Sequence, residues 1–171
     1  RLMGEWTPDT TSFQSLLFDE NPNDDISKPY PFYLAYALED EPASLGNLQD
    51  WQVERKWDGI RGQIIIRNQE LFVWSRGEEL MTDRFPEYHA FVEQLPDGVV
   101  IDGEILPFKD GKPLTFNDLQ TRIGRKKVGK KILEKAPVVL MAYDLLEWQG
   151  EDIRQRPLSE RRVLLEKMIA A

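Results

Sequence analysis

Lys56-Trp57-Asp58-Gly59-Ile60-Arg61 places a lysine, a carboxylate, a turn glycine and an arginine within six residues. The run before it, Trp51 to Lys56, alternates as a half-buried strand does. With a period of two, Glu54, Lys56 and Asp58 share one face, and Arg55 and Trp57 share the other. Gly59 permits a bend or close backbone approach that a Cβ would block. An amine between two carboxylates, followed by arginine, reads on its own either as a surface ladder of ion pairs or as a site that handles phosphate.

The surrounding text gives the motif a fold. Ile60 to Arg67 and Glu70 to Ser75 predict a hairpin across Asn68-Gln69, and Gly98 to Pro107 predicts a further β run interrupted by Asp102-Gly103-Glu104. An amphipathic helix is expected near Pro86–Leu95 with Pro86 in its first turn, another over Thr115–Ile123 capped by Thr115 or a neighbour, and a short one at Lys130–Lys135. Pro137 to Leu146 is almost continuously apolar, the pattern of a strand covered on both faces. Pro157 to Ala171 carries Leu158, Leu165, Met168 and Ile169 near helical spacing. Antiparallel strands with intervening helices define an α+β domain. Residues 1–27 differ: a short helix is expected at Thr11–Phe18, then the acidic, turn-rich Asp19–Asp25.

Composition narrows the chemistry. There is no cysteine, which removes thiol nucleophiles, disulfides and thiolate metal sites and fits a reducing compartment. The single histidine, His89, falls in the Pro86–Leu95 segment and reads as structural, so a serine–histidine–aspartate hydrolase is disfavoured. No run of eighteen apolar residues is present, and no membrane-spanning segment is expected. The net charge of −8 resides in residues 1–50, while the remainder is neutral. Within that remainder Arg122 to Lys135 holds seven basic residues against Glu134 alone. That tract reads either as a solvated helix and loop or as a path for a phosphate backbone.

Four short motifs occur in one order: Lys56-x-Asp58-Gly59-x-Arg61, Ser75-Arg76-Gly77, Asp102-Gly103-Glu104 and Tyr143-Asp144-Leu145-Leu146. The set resembles the nucleotidyltransferase motifs of ATP-dependent DNA ligases, in particular bacterial ligases with a DNA-binding domain ahead of the adenylation domain. The flanking Lys28-Pro-Tyr-Pro-Phe-Tyr-Leu-Ala and Gly150-Glu-Asp-Ile-Arg share the resemblance, which runs from about residue 28 to the end. It implies an ATP-grasp-like nucleotidyltransferase fold, with ATP and Mg2+ as cofactors, nicked duplex DNA as partner, and a cytoplasmic, nucleoid-associated setting.

The resemblance also assigns roles. Lys56 attacks the α-phosphate of ATP and holds AMP through a phosphoramidate. Glu54 reads the adenine edge, Arg61 and Arg76 contact ribose or phosphate, Glu104 holds the ribose hydroxyl or the metal, and Tyr143 stacks on the purine. Arg125, Lys126, Lys127, Lys130 and Lys131 are candidate DNA contacts. The chain is expected to be a fragment, with residues 1–27 a connector and 28–171 the first part of the adenylation domain, unable to ligate alone.

Chemistry and plainer readings stand beside these roles. Lysine attacks phosphorus only as a free amine, and Glu54 and Asp58 would hold its proton unless Arg61, Arg76, a cation or residues outside this stretch offset them. Tyr143 also reads as a core residue, Arg76 as a surface partner of Glu78 or Glu79, Asp58 as structural and Trp57 as packing. Asp102 reads as a cap or turn, and Arg154, Arg156, Arg161 and Arg162 as a solvated face. The competing functions are an RNA ligase or mRNA-capping guanylyltransferase, which share the lysine motif, and a non-catalytic nucleotide- or DNA-binding module.

Overall fold

Three consecutive isoleucines, Ile64, Ile65 and Ile66, are all fully buried, so the strand that carries them is covered on both faces. That strand is β1 (Ile60–Arg67). The structure is a computed structural model that describes Asp9, Ser12, residues 26–125 and residues 127–170. The expected helix at Thr11–Phe18 and the acidic turn after it lie, apart from Ser12, outside the described residues.

The strands form one six-stranded antiparallel sheet. Its order is β2 (Glu70–Ser75), β1, β3 (Val99–Lys109), β5 (Val138–Trp148) and β6 (Glu151–Asp152), with β4 (Lys112–Pro113) paired to the end of β3. The predicted hairpin forms, with both turn residues left-handed: Asn68 at φ 55° and Gln69 at φ 61°. Two left-handed residues match the twist of the flanking strands. The same geometry recurs at Asp110-Gly111 and at Gln149-Gly150, which closes the unpredicted β5–β6 hairpin.

The two faces are covered differently. On one, Ile64, Ile66, Val73, Val99, Ile101 and Leu145 pack against helices α1 (Phe91–Gln94), α2 (Phe116–Ile123) and α4 (Leu158–Ala170), which contribute residues such as Leu119, Leu165 and Met168. Helix α3 (Lys130–Lys135) is short and carries no buried residue. In α2 the expected cap is present: the Asp118 carboxylate accepts from the Thr115 hydroxyl at 2.7 Å and from its backbone N–H at 3.3 Å.

On the other face, Ile65, Phe72, Trp74, Val100 and Leu146 are covered by Leu80 and by the segment around Ile26–Tyr30. Polar bonds fasten it. Gln63 is fully buried and exchanges two bonds with the Tyr30 backbone, at 2.8 and 2.9 Å, and Trp74 Nε1 donates to Ser27 O. The Tyr30 hydroxyl donates to Glu147 at 2.7 Å, and Glu147 is gripped from the other side by Arg67.

Burial first, then Glu147, pushes the Tyr30 phenol up to about 12 from an ordinary value near 10. The native state therefore holds this proton more tightly than the unfolded chain. The contribution is complete below about pH 10 and is lost as pH rises toward 12. Tyr30→Phe is expected to cost about 1 kcal/mol at neutral pH and to flatten the alkaline loss of stability, as measured by urea unfolding at several pH values.

Three readings need correction. The Pro86–Leu95 segment is not one α-helix but a 3-10 stretch, Pro86–Ala90, followed by a single α-turn. Phe85, Tyr88 and Phe91 stack in sequence, with ring centroids 5.6 and 4.9 Å apart. Three residues per turn superimposes side chains at that spacing, which favours the tighter helix. His89 is exposed, as a structural residue can be. Strand β5 is buried over Leu145–Glu147 but only half-buried over Val138–Asp144, so the expected cover on both faces exists at one end. Residues 51–56, expected as a half-buried strand, are irregular and exposed, and the irregular stretch continues to residue 58. Among the described residues no neighbouring strand takes their ladder hydrogen bonds, and alternation alone cannot make a strand without a partner.

Candidate active site

Gly59 is where the lysine motif meets the sheet. Its N–H donates to Glu104 Oε1 at 3.1 Å. A Cβ at this position would lie 2.3 Å from Ile105 O and 2.5 Å from Leu106 Cδ2. Only glycine lets the chain approach β3 so closely. The lysine side chain is exposed, and its positive charge is felt at Glu104.

Strand pairing lines up the other groups. Arg61 lies opposite Glu104 and Gln63 opposite Asp102, on the face that carries Ile65 and Val100. Burial raises the Glu104 pKa above the ordinary range for its type, while the Gly59 N–H and the charges of Arg61, Lys56 and Arg76 pull it back. Arg76 is exposed, and its backbone N–H donates to Arg61 O at 2.9 Å.

Arg61 makes a two-pronged contact with Asp102, Nε to Oδ1 at 3.2 Å and Nη2 to Oδ2 at 2.8 Å, and its Nη1 donates to Tyr33 O. Burial pulls the guanidinium pKa down, but Asp102 outweighs it and the net shift is upward. Burial also lifts Asp102 above the usual carboxylate range in spite of its arginine. Asp102 is therefore neither a cap nor a turn residue. It is a buried mid-strand carboxylate that fixes Arg61. Its sequence signal was present: a charge inside an apolar run needs a buried partner.

Tyr143 owes its place to an irregularity. Asp102 pairs with Asp144 and Gly103 with Ala142, so Tyr143 is an extra residue on β5. A bulge of this kind re-aims side chains and leaves one residue out of the ladder. Tyr143 and Asp144, neighbours that strict alternation would send to opposite faces, both line one cleft. This cleft, about 680 Å³, also draws on Glu54, Arg61, Asp102 and Arg161. The half-buried Tyr143 ring lies 5.6 Å from the Arg61 guanidinium. Burial, then the charge of Asp102, pushes its phenol upward.

The family model described as "ATP dependent DNA ligase domain" matches residues 33–171. The chain belongs to the ATP-dependent DNA ligase domain family. A probable DNA ligase of Koribacter versatilis is 36% identical over 138 residues, covering 81% of this chain and 24% of that protein. A DNA ligase of Archaeoglobus fulgidus is 32% identical over 146 residues, with 85% and 26% covered. This ligase domain thus spans about a quarter of the length of these two relatives. The solved structure of mycobacterial DNA ligase D complexed with ATP and MES superimposes with a TM-score of 0.57 at 30% identity, covering 69% of this chain and 36% of that one. The expected α+β nucleotidyltransferase-type fold is therefore present.

Within the ligase domain, Arg61, Glu104 and Tyr143 come together on adjacent strands, Glu54 and Tyr143 share the cleft, and the charges of Lys56 and Arg76 reach Glu104. The basic tract divides. Arg122 is fully buried, so it cannot track an outside phosphate, whereas Arg125, Lys127, Lys130 and Lys131 are exposed. Lys126 lies outside the described residues. Of the arginines read as a solvated face, Arg154 and Arg156 lie at the surface, paired to Asp152 and Glu151, whereas Arg161 and Arg162 are half-buried and pair with Asp144 and with Glu54 and Glu166. Periodicity could not foresee this, since their partners lie on β5, β6 and the irregular segment as well as on α4.

Among the described residues no group of three or more carboxylates or histidines is arranged to hold a metal ion, and no helix is long and apolar enough to cross a membrane.

Proposed function

We propose that this chain is the first part of the adenylation domain of a DNA ligase, with residues 1–27 a connector from an upstream DNA-binding domain. The whole protein seals nicks in duplex DNA. The Lys56 amine, once it has lost its proton, attacks the α-phosphorus of ATP. An N–P bond forms, the bond from that phosphorus to the oxygen of the departing pyrophosphate breaks, and AMP remains on the lysine. A DNA 5′-phosphate then takes the AMP, and a 3′-hydroxyl displaces it to join the strands. The observation that carries this reading is the Gly59–Glu104 junction, which brings the lysine motif onto β3 beside the carboxylate and arginines.

The remaining residues have roles set by their chemistry. The Tyr143 face suits a purine. Glu54 accepts from the adenine amino group. Asp102 presents Arg61 in a fixed orientation, so its unengaged N–H groups, with Arg76, meet phosphate or ribose oxygens. Glu104 has one oxygen engaged by Gly59. Its other oxygen would hold a magnesium ion, which when bound would neutralise charge on the polyphosphate. Arg125, Lys126, Lys127, Lys130 and Lys131 serve the DNA backbone.

Incubating the full-length protein with magnesium and either ATP or GTP tests the reading. The expected result is one AMP bound covalently at Lys56 and discharged onto nicked DNA. Labelling by GTP would point to a guanylyltransferase, and no label with either nucleotide would leave a binding module.

A further inference from the structure

Helix α4 sends two consecutive arginines into the candidate site. Arg161 grips the Asp144 carboxylate with Nε and Nη2, at 2.8 and 2.9 Å. Arg162 takes the neighbouring backbone, its Nη1 lying 3.0 Å from Tyr143 O and 3.4 Å from Ala142 O. Tyr143 is the bulged residue, with no Cα partner on β3, and β6 pairs only with Glu147 and Trp148, so Arg162 gives a donor to a carbonyl at the irregular part of the strand. The same Arg162 Nη1 lies 3.7 Å from Glu54 Oε1.

That ion pair is the contact Glu54 makes outside its own segment among the described residues. Glu54 sits in the irregular segment 51–58, which no ladder holds. Among the described residues its carboxylate meets Gln52, in the same segment, and Arg162, on the folded body. Arg162 is half-buried, so solvent screens its charge less than that of an exposed arginine. A guanidinium donates in fixed directions; here Nη1 donates to the Tyr143 carbonyl, and the Glu54 carboxylate faces the same nitrogen as an ion pair at 3.7 Å.

We propose that Arg162 is a positioning residue for base recognition, fixing the distance between the Glu54 carboxylate and the Tyr143 ring. It touches neither nucleotide nor metal; it acts through the two groups that do. The proposal rests on the reading of Glu54 and Tyr143 as the adenine contacts. Without Arg162 the ring keeps its place in β5, but Glu54 drifts from the purine edge. Discrimination by the exocyclic amine is therefore lost before general activity is.

The test compares ATP with purine riboside triphosphate, which lacks that amine, as donors for covalent labelling of the full-length protein. The ratio of their kcat/KM values is measured in the unaltered protein and in Arg162→Gln, Glu54→Gln and the double variant. Arg162→Gln is expected to lower the ratio about tenfold, mainly through a raised KM for ATP. The double variant is expected to be no lower than Glu54→Gln, because both changes remove one interaction. Equal slowing with both nucleotides, the ratio unchanged, would overturn the proposal. Should Arg162→Gln fail to fold by thermal melting, Arg162→Lys replaces it; a folded lysine variant with an unchanged ratio overturns the proposal equally. Absence of labelling in the unaltered protein rejects the ligase reading itself, a separate outcome. Labelling without preference for ATP rejects the role of Glu54, and the proposal with it.

Discussion

Gly59→Ala is expected to reduce covalent adenylation at least 100-fold while leaving most of the fold intact. The added Cβ meets the Ile105 carbonyl oxygen at 2.3 Å and Leu106 Cδ2 at 2.5 Å, and both belong to the central strand β3. A backbone atom in a paired strand cannot yield, so segment 51–59 must lift away. The Gly59 N–H then loses Glu104, and the Lys56 motif loses its seat. Displacement of a reacting group by about 1 Å is enough for a loss of this size. Stability should fall by only about 1–3 kcal/mol, because the segment that moves is exposed and unpaired. Labelling rates measured beside thermal unfolding separate the two effects. Adenylation within threefold of the unaltered rate would reject the junction as the organiser of the site.

Arg122→Met is expected to do the reverse, unfolding the domain while sparing its chemistry. Arg122 is 0% exposed, yet it carries a charge. Its Nε and Nη2 donate to Arg84 O at 3.0 and 2.9 Å, its Nη1 donates to Ala136 O at 2.9 Å, and Nη2 also pairs with Glu87. Its guanidinium stands 5.3 Å from the Phe85 ring. Methionine fills part of the volume but leaves two carbonyls and a carboxylate without their donor. Breaking a buried pair in this way costs about 3–5 kcal/mol. For a domain of this size that corresponds to a fall in melting temperature of roughly 6–20 °C. Arg122→Lys should recover little, since an ammonium cannot serve three separated acceptors with the same geometry. Below the transition, the KM for ATP should be unchanged. A loss under about 1 kcal/mol would show that the arginine is not holding this corner together.

Arg122 also shows how far reading a charge run can go. Seven basic residues within Arg122–Lys135 read as one surface feature, and six of them have the composition of a solvated tract. One is turned inward because Arg84, Glu87 and Ala136, distant along the chain, leave acceptors there. Arg161 and Arg162 repeat the lesson at the site. Asp102, read as a cap or turn, carried a signal that this reading passed over: a carboxylate within an apolar run needs a buried partner, here Arg61.

What the residues determined alone was local: the β1–β2 hairpin, the capped helix α2, the long strands β3 and β5, and a lysine motif whose glycine had to serve a close approach. Each follows from periodicity, turn chemistry or a missing Cβ, which act within a few residues of chain. Only the tertiary structure decided that residues 51–58 form no strand, that a bulge sets Tyr143 beside Asp144 in one cleft, and that Asp102, Arg161 and Arg162 hold the site. Pairing partners and charge partners come from residues far apart in sequence. A one-dimensional pattern specifies what a segment can do, but not which neighbour will satisfy it.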